Sequence, residues 1–578
     1  MAKRNSPKGK PVQPSPEEPI IKAQASQNDE KKRRLILIIA GGIAFAASLA
    51  IYLLRLDKVV GFVGDDAWYV LLAKAMATGH GYTIINSPSP GIVPFYAPGF
   101  PALLSIFYRL APSFPGNLIV FKLVSTAAMM GAGFIAFHYF RRYRELPIYV
   151  SFALALTTAT YPALVFLATS TVMSEPVFTL TQLAAIVVIE RCVRAGKEKS
   201  AWWLAALGGA LASYAFLTRP AGLGLLVGAI IYLFKEKLTK SLLIFAAVVA
   251  VLVGPWVVYS RMHTPTPEQV AEQGGNIVQP YTKQIWQPKA GEPLSGTITA
   301  GELPERVWNN LSEIAYSNLA ERRPPTFGAL VFYSLYRPLE PGEPIRIPAE
   351  ARMISLFLAA LALAGFVSVV RQRWTLAEIV VPLSIGVSAL WGWEQYRLLL
   401  PIVPFLLFYL LMGVRMIARL YRKLYAQPNP RGEVIPLLIV AWLFAVSNIY
   451  GNVQYIQRKY DPVPENRLRW ISAFEENEAL IKHIGENVPK EDVIATQNPA
   501  LVYLYTGHKT VASDDPASQW ETWNRIGVRY LARTSPFPLP KPDASESKYP
   551  QVYRTGGSLG LRLIDLGSPS SRPAWGKN

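Results

Sequence analysis

The chain is 578 residues long, 51% of them hydrophobic and only 17% charged, with a formal net charge of +19. So few charges over such a length exclude an ordinary soluble domain and point to lipid as the solvent. One cysteine, Cys192, excludes an internal disulfide, and with five scattered histidines it offers no thiolate or imidazole cluster for zinc.

Residues 1–34, rich in Lys, Pro, Ser and Gln, read as a disordered basic cytoplasmic tail ending in Lys31-Lys32-Arg33-Arg34. The apolar run from Leu35 to Leu56 is longer than a secretory h-region and reads as an uncleaved signal anchor. Further runs of spanning length follow at Leu118–Phe140, Pro147–Phe166, Val172–Arg191, Trp202–Leu217, Ala221–Phe234, Leu242–Tyr259, Ile354–Val370, Leu376–Leu390, Leu398–Met412 and Val434–Ile449. The expected fold class is mainly α, a polytopic transmembrane bundle of about eleven spans.

With the N-terminus inside, the basic loops Arg141-Arg142-Tyr143-Arg144, Arg191 to Lys199, Lys235 to Lys240, Arg371-Gln372-Arg373 and Arg415 to Arg431 all fall on the cytoplasmic side. The positive surplus is therefore topological, and nucleic acid is not implied. The opposite side receives two long loops, 57–101 and 261–350, and everything after Gly451. Three regions result: the tail 1–34, a membrane domain 35–450, and an outer domain 451–578.

Lys122, Glu175, Arg219, Glu394 and Arg397 all lie near the expected outer ends of helices. Each alone fits a side chain snorkelling to the interface, but several together favour an outward-facing cavity. A proton or ion pathway would need such groups at midplane.

The first outer loop contains Gly64-Asp65-Asp66-Ala67-Trp68-Tyr69 and, farther on, Gly79-His80-Gly81-Tyr82. A short helix over Ala67 to Thr78 is expected, with Asp65 as a fitting cap and Gly79 at its end. Tyr96-Ala97-Pro98-Gly99-Phe100-Pro101 then leads into an apolar helix, Ala102 to Tyr108, too short to span and suited to the interface. The loop 261–350, rich in Pro and aromatics, is suited to covering a site, recognising an acceptor, or a purely structural excursion. After the last span, Glu475 to Gly485 reads as a helix, Asp492 to Thr496 as a strand, Pro499 to Thr506 as a helix closed by Gly507, and Arg529 to Leu531 and Leu559 to Ile564 as strands. A small α/β domain is expected there, with packing favoured over catalysis because no nucleophile–base pair or phosphate loop is visible.

The order of these motifs resembles the GT-C glycosyltransferases of the protein O-mannosyltransferase and aminoarabinose transferase type. The resemblance covers most of the chain and rests on Asp65-Asp66 followed by Tyr69, Ala73 and Gly79, on Ala97-Pro98-Gly99-Phe100-Pro101, and on Ser174-Glu175-Pro176. Thr218-Arg219-Pro220, Gly254-Pro255-Trp256 and Tyr396-Arg397-Leu398-Leu399-Leu400-Pro401 extend it. Two positions depart from the family pattern, Asp-Asp for its usual Asp-Glu and Ala97-Pro98-Gly99 for Pro-Pro-Gly, which leaves the subfamily and the substrate open.

The resemblance implies transfer of a sugar from a polyprenyl-phosphate donor to a hydroxyl acceptor on a lipid, glycan or protein, with inversion, at the periplasmic face of a bacterial inner membrane. It implies Asp65 as general base with Asp66 beside it, and Arg219, Arg397 and Lys122 as partners of the donor phosphate. Glu175, Tyr69, Tyr82 and Tyr96 are the candidates for sugar or acceptor contacts or for support. Asp66 and Glu175 are the carboxylates open to a divalent cation, Mg or Mn. A transporter or flippase of lipid-linked sugars is the alternative class, disfavoured by the lack of a visible paired repeat and by the one-sided polar groups. A noncatalytic envelope assembly protein is the third.

Overall fold

The computed structural model describes residues 18–62, 64–290, 292, 295–317, 324–332, 347–425, 431–513 and 515–568. The chain forms two compact units, Met1–Ala50 and Ile51–Asn578. Helix α1 (Glu18–Arg55) carries the first apolar run. Then come α2 (Asp65–Ala77), α3 (Gly99–Leu110), α4 (Leu118–Arg142), α5 (Ile148–Ala159), α6 (Pro162–Thr169), α7 (Glu175–Ala195), α8 (Lys199–Thr218), α9 (Leu223–Lys235) and α10 (Thr239–Met262). Five short helices occupy the long second loop: α11 (Pro267–Gln273), α12 (Gly275–Val278), α13 (Tyr281–Gln284), α14 (Leu303–Ala315) and α15 (Thr326–Val331). The remaining membrane helices are α16 (Ala349–Gln372), α17 (Leu376–Ala389), the short α18 (Gln395–Leu399), α19 (Val403–Leu424) and α20 (Arg431–Lys459).

Among the described residues, eight helices are long and apolar enough to cross a membrane, and α5 with α6, bent by 40° at their break, make up to nine if the pair is counted as one span. Helix formation is the only way an isolated apolar segment can satisfy its backbone in hydrocarbon. The two shorter apolar helices Pro220–Lys235 and Leu376–Ala389 account for the rest of the eleven expected runs, and α3 is the short apolar helix expected at the interface. The chain is an integral membrane protein. Helix α7 and the segment Gln395–Leu424 are 67% and 78% buried, whereas Thr239–Met262 and Ala349–Gln372 are 17% buried, so the former are central and the latter face lipid. Exposed Leu243, Val251, Phe357 and Leu363 are what a lipid-facing surface requires.

Helices α16 and α19 cross without intervening side chains. A Cβ on Gly365 would collide with the Tyr409 carbonyl, and one on Gly413 with the Leu361 carbonyl, so glycine on each partner is what permits the contact.

Beyond α20 lie α21 (Arg469–Asn487), β1 (Val493–Thr496), α22 (Pro499–Thr506), β2 (Thr510–Ala512), α23 (Pro516–Ile526), β3 (Val528–Arg533), β4 (Gln551–Arg554) and β5 (Arg562–Asp565). Pro at the first position of α22 and α23 and left-handed Gly507 and Gly527 after them set the helix limits. The sheet order is β2-β1-β3-β5-β4, with β2, β1 and β3 parallel and β5 and β4 antiparallel. The sheet is fastened to the first loop: Thr510 N donates to Asn86 O at 2.8 Å, Asn86 Nδ2 to Thr510 O at 3.0 Å, and Asn498 Nδ2 to Gly61 O. It also meets the second loop, where Gln519 Nε2 donates to Ala271 O at 2.8 Å.

Candidate active site

Gly64, with φ +85°, makes a left-handed turn that lets the chain enter α2 directly at Asp65. No side chain caps α2. Asp65 is its first residue rather than its cap, and its carboxylate is directed elsewhere. Oδ1 accepts from Tyr96 Oη at 2.6 Å and Oδ2 from Arg397 Nη2 at 2.6 Å. The adjacent Asp66 turns away: it is fully buried, Oδ2 accepts the Gly61 N–H at 2.9 Å, and Oδ1 has no partner. Burial, reinforced by the charge of Asp65, pushes the Asp66 carboxyl up to about 6.

Arg397 projects from α18, between the Tyr396 and Leu398 of its motif, and reaches Glu175 through Nε at 2.6 Å. Glu175 opens α7, where the positive end of the helix dipole favours a carboxylate. Its Oε1 also receives Arg219 Nη1 at 2.7 Å. Arg219 ends α8, because Pro220 holds it in an extended conformation, and it donates to Ser174 Oγ at 3.2 Å, itself 3.3 Å from Tyr69 Oη. The Ala97-Pro98-Gly99 motif brings the first loop to this point. A Cβ on Gly99 would lie 2.7 Å from the Leu217 carbonyl, so only glycine lets α3 start against the end of α8. Asp65, Glu175, Arg219 and Arg397, far apart in sequence, thus form one charge-balanced cluster.

Two cavities meet here, and Gly64, Asp65 and Tyr96 line both. One, of about 580 Å³, contains Arg219 and Arg397 with Tyr69 and an apolar wall that includes Phe178, Leu223, Leu398 and Ile402. The other, of about 810 Å³, runs between the first loop and the C-terminal sheet. Burial and the neighbouring Asp65 charge hold the Tyr96 phenol well above its usual range, so it stays a donor to Asp65.

The remaining sequence candidates lie behind this cluster. Lys122 lines neither cavity. It is fully buried, and its ammonium donates at 2.8 Å to Asp57 O, Asp57 Oδ1 and Val59 O, leaving no proton for a phosphate. That departs from the expected phosphate role: Lys122 pins the start of the first loop. Tyr82 supports Tyr96, donating to its carbonyl at 2.9 Å and packing on Trp256 at 5.6 Å. Of the two carboxylates considered for a divalent cation, Asp66 accepts from Gly61 N through Oδ2 and Glu175 holds both guanidinium groups through Oε1. Among the described residues no three His, Cys, Asp or Glu side chains converge as a metal site.

No protein-family model matches the chain, and no curated protein matches it by sequence. Solved structures do. ArnT, an aminoarabinose transferase from Cupriavidus metallidurans, in its apo state, superposes with TM-score 0.55 at 11% identity, covering 93% of this chain and 98% of that one. The same protein bound to undecaprenyl phosphate gives TM-score 0.53 at 11% identity, covering 93% and 99%. The chain has the GT-C fold.

Within this GT-C fold, several cavity residues escaped the sequence reading. Tyr281, Trp286, Trp391 and Trp393 line the apolar cavity, and Tyr281 packs on Trp391 at 5.6 Å. Trp391-Gly392-Trp393 lies just before the Tyr396-Arg397 motif, and Gly392 passes within hydrogen-bonding reach of the second loop, its carbonyl accepting from Ala290 N at 2.9 Å. Paired tryptophans flanking a glycine at the expected outer end of a span were the available signal.

Proposed function

We propose that this protein transfers a sugar from a polyprenyl-phosphate donor to a hydroxyl acceptor, on the side of the membrane opposite its basic loops. The observation that carries the reading is the Asp65 carboxylate at the junction of two cavities, with both arginines in the apolar one. ArnT binds undecaprenyl phosphate, and an apolar cavity with two guanidinium groups suits the same kind of lipid here, chain along the walls and phosphate on Arg219 and Arg397.

In the proposed step Asp65 takes the proton of the acceptor hydroxyl, the hydroxyl oxygen bonds to the anomeric carbon, and the bond from that carbon to the phosphate oxygen breaks. The configuration inverts. The polyprenyl phosphate leaves with the electron pair, its charge stabilised by the two arginines. Before the donor arrives Arg397 is hydrogen-bonded to Asp65. Exchange of that bond for one to phosphate frees one Asp65 oxygen for the acceptor hydroxyl and leaves the other held by Tyr96. Glu175 keeps both guanidinium groups aimed at the cavity and acts as a positioning residue. No step calls for a metal ion.

Asp65→Asn tests the assignment. The amide keeps the shape and loses the basicity, so transfer from a panel of polyprenyl-phosphate sugars should fall by at least about a hundredfold. Binding of undecaprenyl phosphate and the melting temperature should be retained. Turnover near that of the native protein would remove Asp65 as the base.

A further inference from the structure

In an open α/β sheet, ligands bind in the crevice outside the carboxyl ends of the parallel strands. Here those ends face the candidate catalytic carboxylate. Gln497 and Asn498 follow β1, Ser513 follows β2, and Thr534 and Ser535 follow β3, and all five line the 810 Å³ cavity whose other wall holds Asp65. The C-terminal sheet therefore presents its ligand-binding edge to the point where an acceptor hydroxyl must arrive.

The chemistry of the walls narrows the ligand. No Lys, Arg or His lines the cavity among the described residues; of its two carboxylates, Asp65 is paired with Arg397 and Glu292 with Lys289. A phosphorylated headgroup would find no cation. Hydroxyl and amide side chains dominate instead, and some hydrogen-bonding capacity is unspent. Ser513 is fully buried and its Oγ has no partner. Gln497, also in the lining, accepts from Thr534 N at 3.2 Å through its side-chain carbonyl. Trp68 and Phe62 add flat apolar faces. A peptide adding as a strand at the β2 edge is disfavoured, because that edge is already occupied where Thr510 N bonds Asn86 O. Cavity size is within the range of small-ligand sites.

We propose that the C-terminal sheet is the acceptor-recognition module and that the acceptor is a neutral glycan, held at the carboxyl ends of β1, β2 and β3 with one hydroxyl directed at Asp65. This rests on the glycosyltransferase reading and adds the substrate class.

The test is direct binding to the full-length protein in lipid nanodiscs. The probes are neutral oligosaccharides of glucose, mannose, galactose and N-acetylglucosamine, a phosphorylated oligosaccharide and a Ser/Thr-rich peptide, with undecaprenyl phosphate binding measured on the same samples. Expected is binding of a neutral oligosaccharide by the native protein and by Asp65→Asn, weakened about fivefold by Ser513→Ala. That variant deletes a hydroxyl with no protein partner, so folding should survive. Ser513→Leu, which adds bulk at this buried position beside the cavity, should abolish glycan binding, with retained undecaprenyl phosphate binding on the same samples showing that the protein is folded. Preference for the phosphorylated oligosaccharide or the peptide, glycan binding indifferent to both Ser513 variants, or no glycan binding at all would overturn the proposal. If undecaprenyl phosphate still binds, the glycosyltransferase reading survives that failure. If neither ligand binds, both fall.

Discussion

The two adjacent aspartates of α2 have opposite environments, and each has a measurable consequence. Asp65 is hydrogen-bonded to a guanidinium and a phenol, whereas Asp66 is buried with one oxygen unpartnered. Because burial raises the Asp66 carboxyl from 3.8 to about 6, the folded protein binds that proton more tightly than the unfolded chain does. Stability therefore falls as pH rises between those values, and the cost persists above them, with an amplitude on the order of 3 kcal/mol. The stability of the native protein relative to Asp66→Asn should decline from pH 4 to pH 6 and then level off in denaturant titrations. A flat difference would show that Asp66 does not titrate there. For the arginines, Arg219→Ala or Arg397→Ala should weaken undecaprenyl phosphate binding by about tenfold or more, while Glu175 retains the other guanidinium. Normal affinity and turnover in both variants would defeat the phosphate assignment. Of the cluster, Asp65 was visible in the acidic pair of the first outer loop, and Glu175, Arg219 and Arg397 as charges at expected outer helix ends. Lys122 shared that pattern, but its three backbone and carboxylate partners come from loop geometry that spacing does not encode.

At the level of elements, the apolar runs were legible because hydrocarbon leaves a backbone no alternative to internal hydrogen bonding. The strands were less so. β2 and β4 are three and four residues long, too short for an alternating pattern to stand out, and β2 exists because Asn86 and β1 fasten its two edges. The α16–α19 crossing was likewise invisible, since glycines 48 positions apart (Gly365 and Gly413) reveal contact only once the helices are placed. Gly365→Leu should therefore destabilise the bundle by about 1–3 kcal/mol. Gly386→Ala in α17, where a Cβ meets nothing within 4 Å, serves as the control. Thermal melts in detergent distinguish them, and equal midpoints would mean that the crossing is not close-packed.

Across the whole molecule, sidedness joins the charge pattern to the site. Helix α4 begins beside the first loop, and from Lys122, which holds Asp57, it runs 20 residues on to Arg142, about 30 Å away at 1.5 Å per residue. Around that far end three of the other four basic loops gather. Arg144 pairs with Glu378 at 2.7 Å, Arg194 donates to the Arg142 carbonyl at 3.4 Å, and Lys235 to the Trp374 carbonyl at 3.2 Å. At the near end, the C-terminal sheet bonds the first loop through Asn86–Thr510 and Asn498–Gly61. One face thus carries the basic loops, and the other carries Asp65 and the sheet. Since Lys and Arg in short loops remain cytoplasmic, Asp65 and the sheet should both lie outside. Accessibility reporters in the first loop and after β5 should give the same, extracytoplasmic signal, and a reporter in the Arg415–Arg431 loop the opposite one. If the first loop and the sheet were found on opposite sides, the hydrogen bonds between them could not form and the cavity that they enclose would not exist. If both were found inside, the cavity would survive, but the proposed reaction would have to draw its donor and acceptor from the cytoplasm.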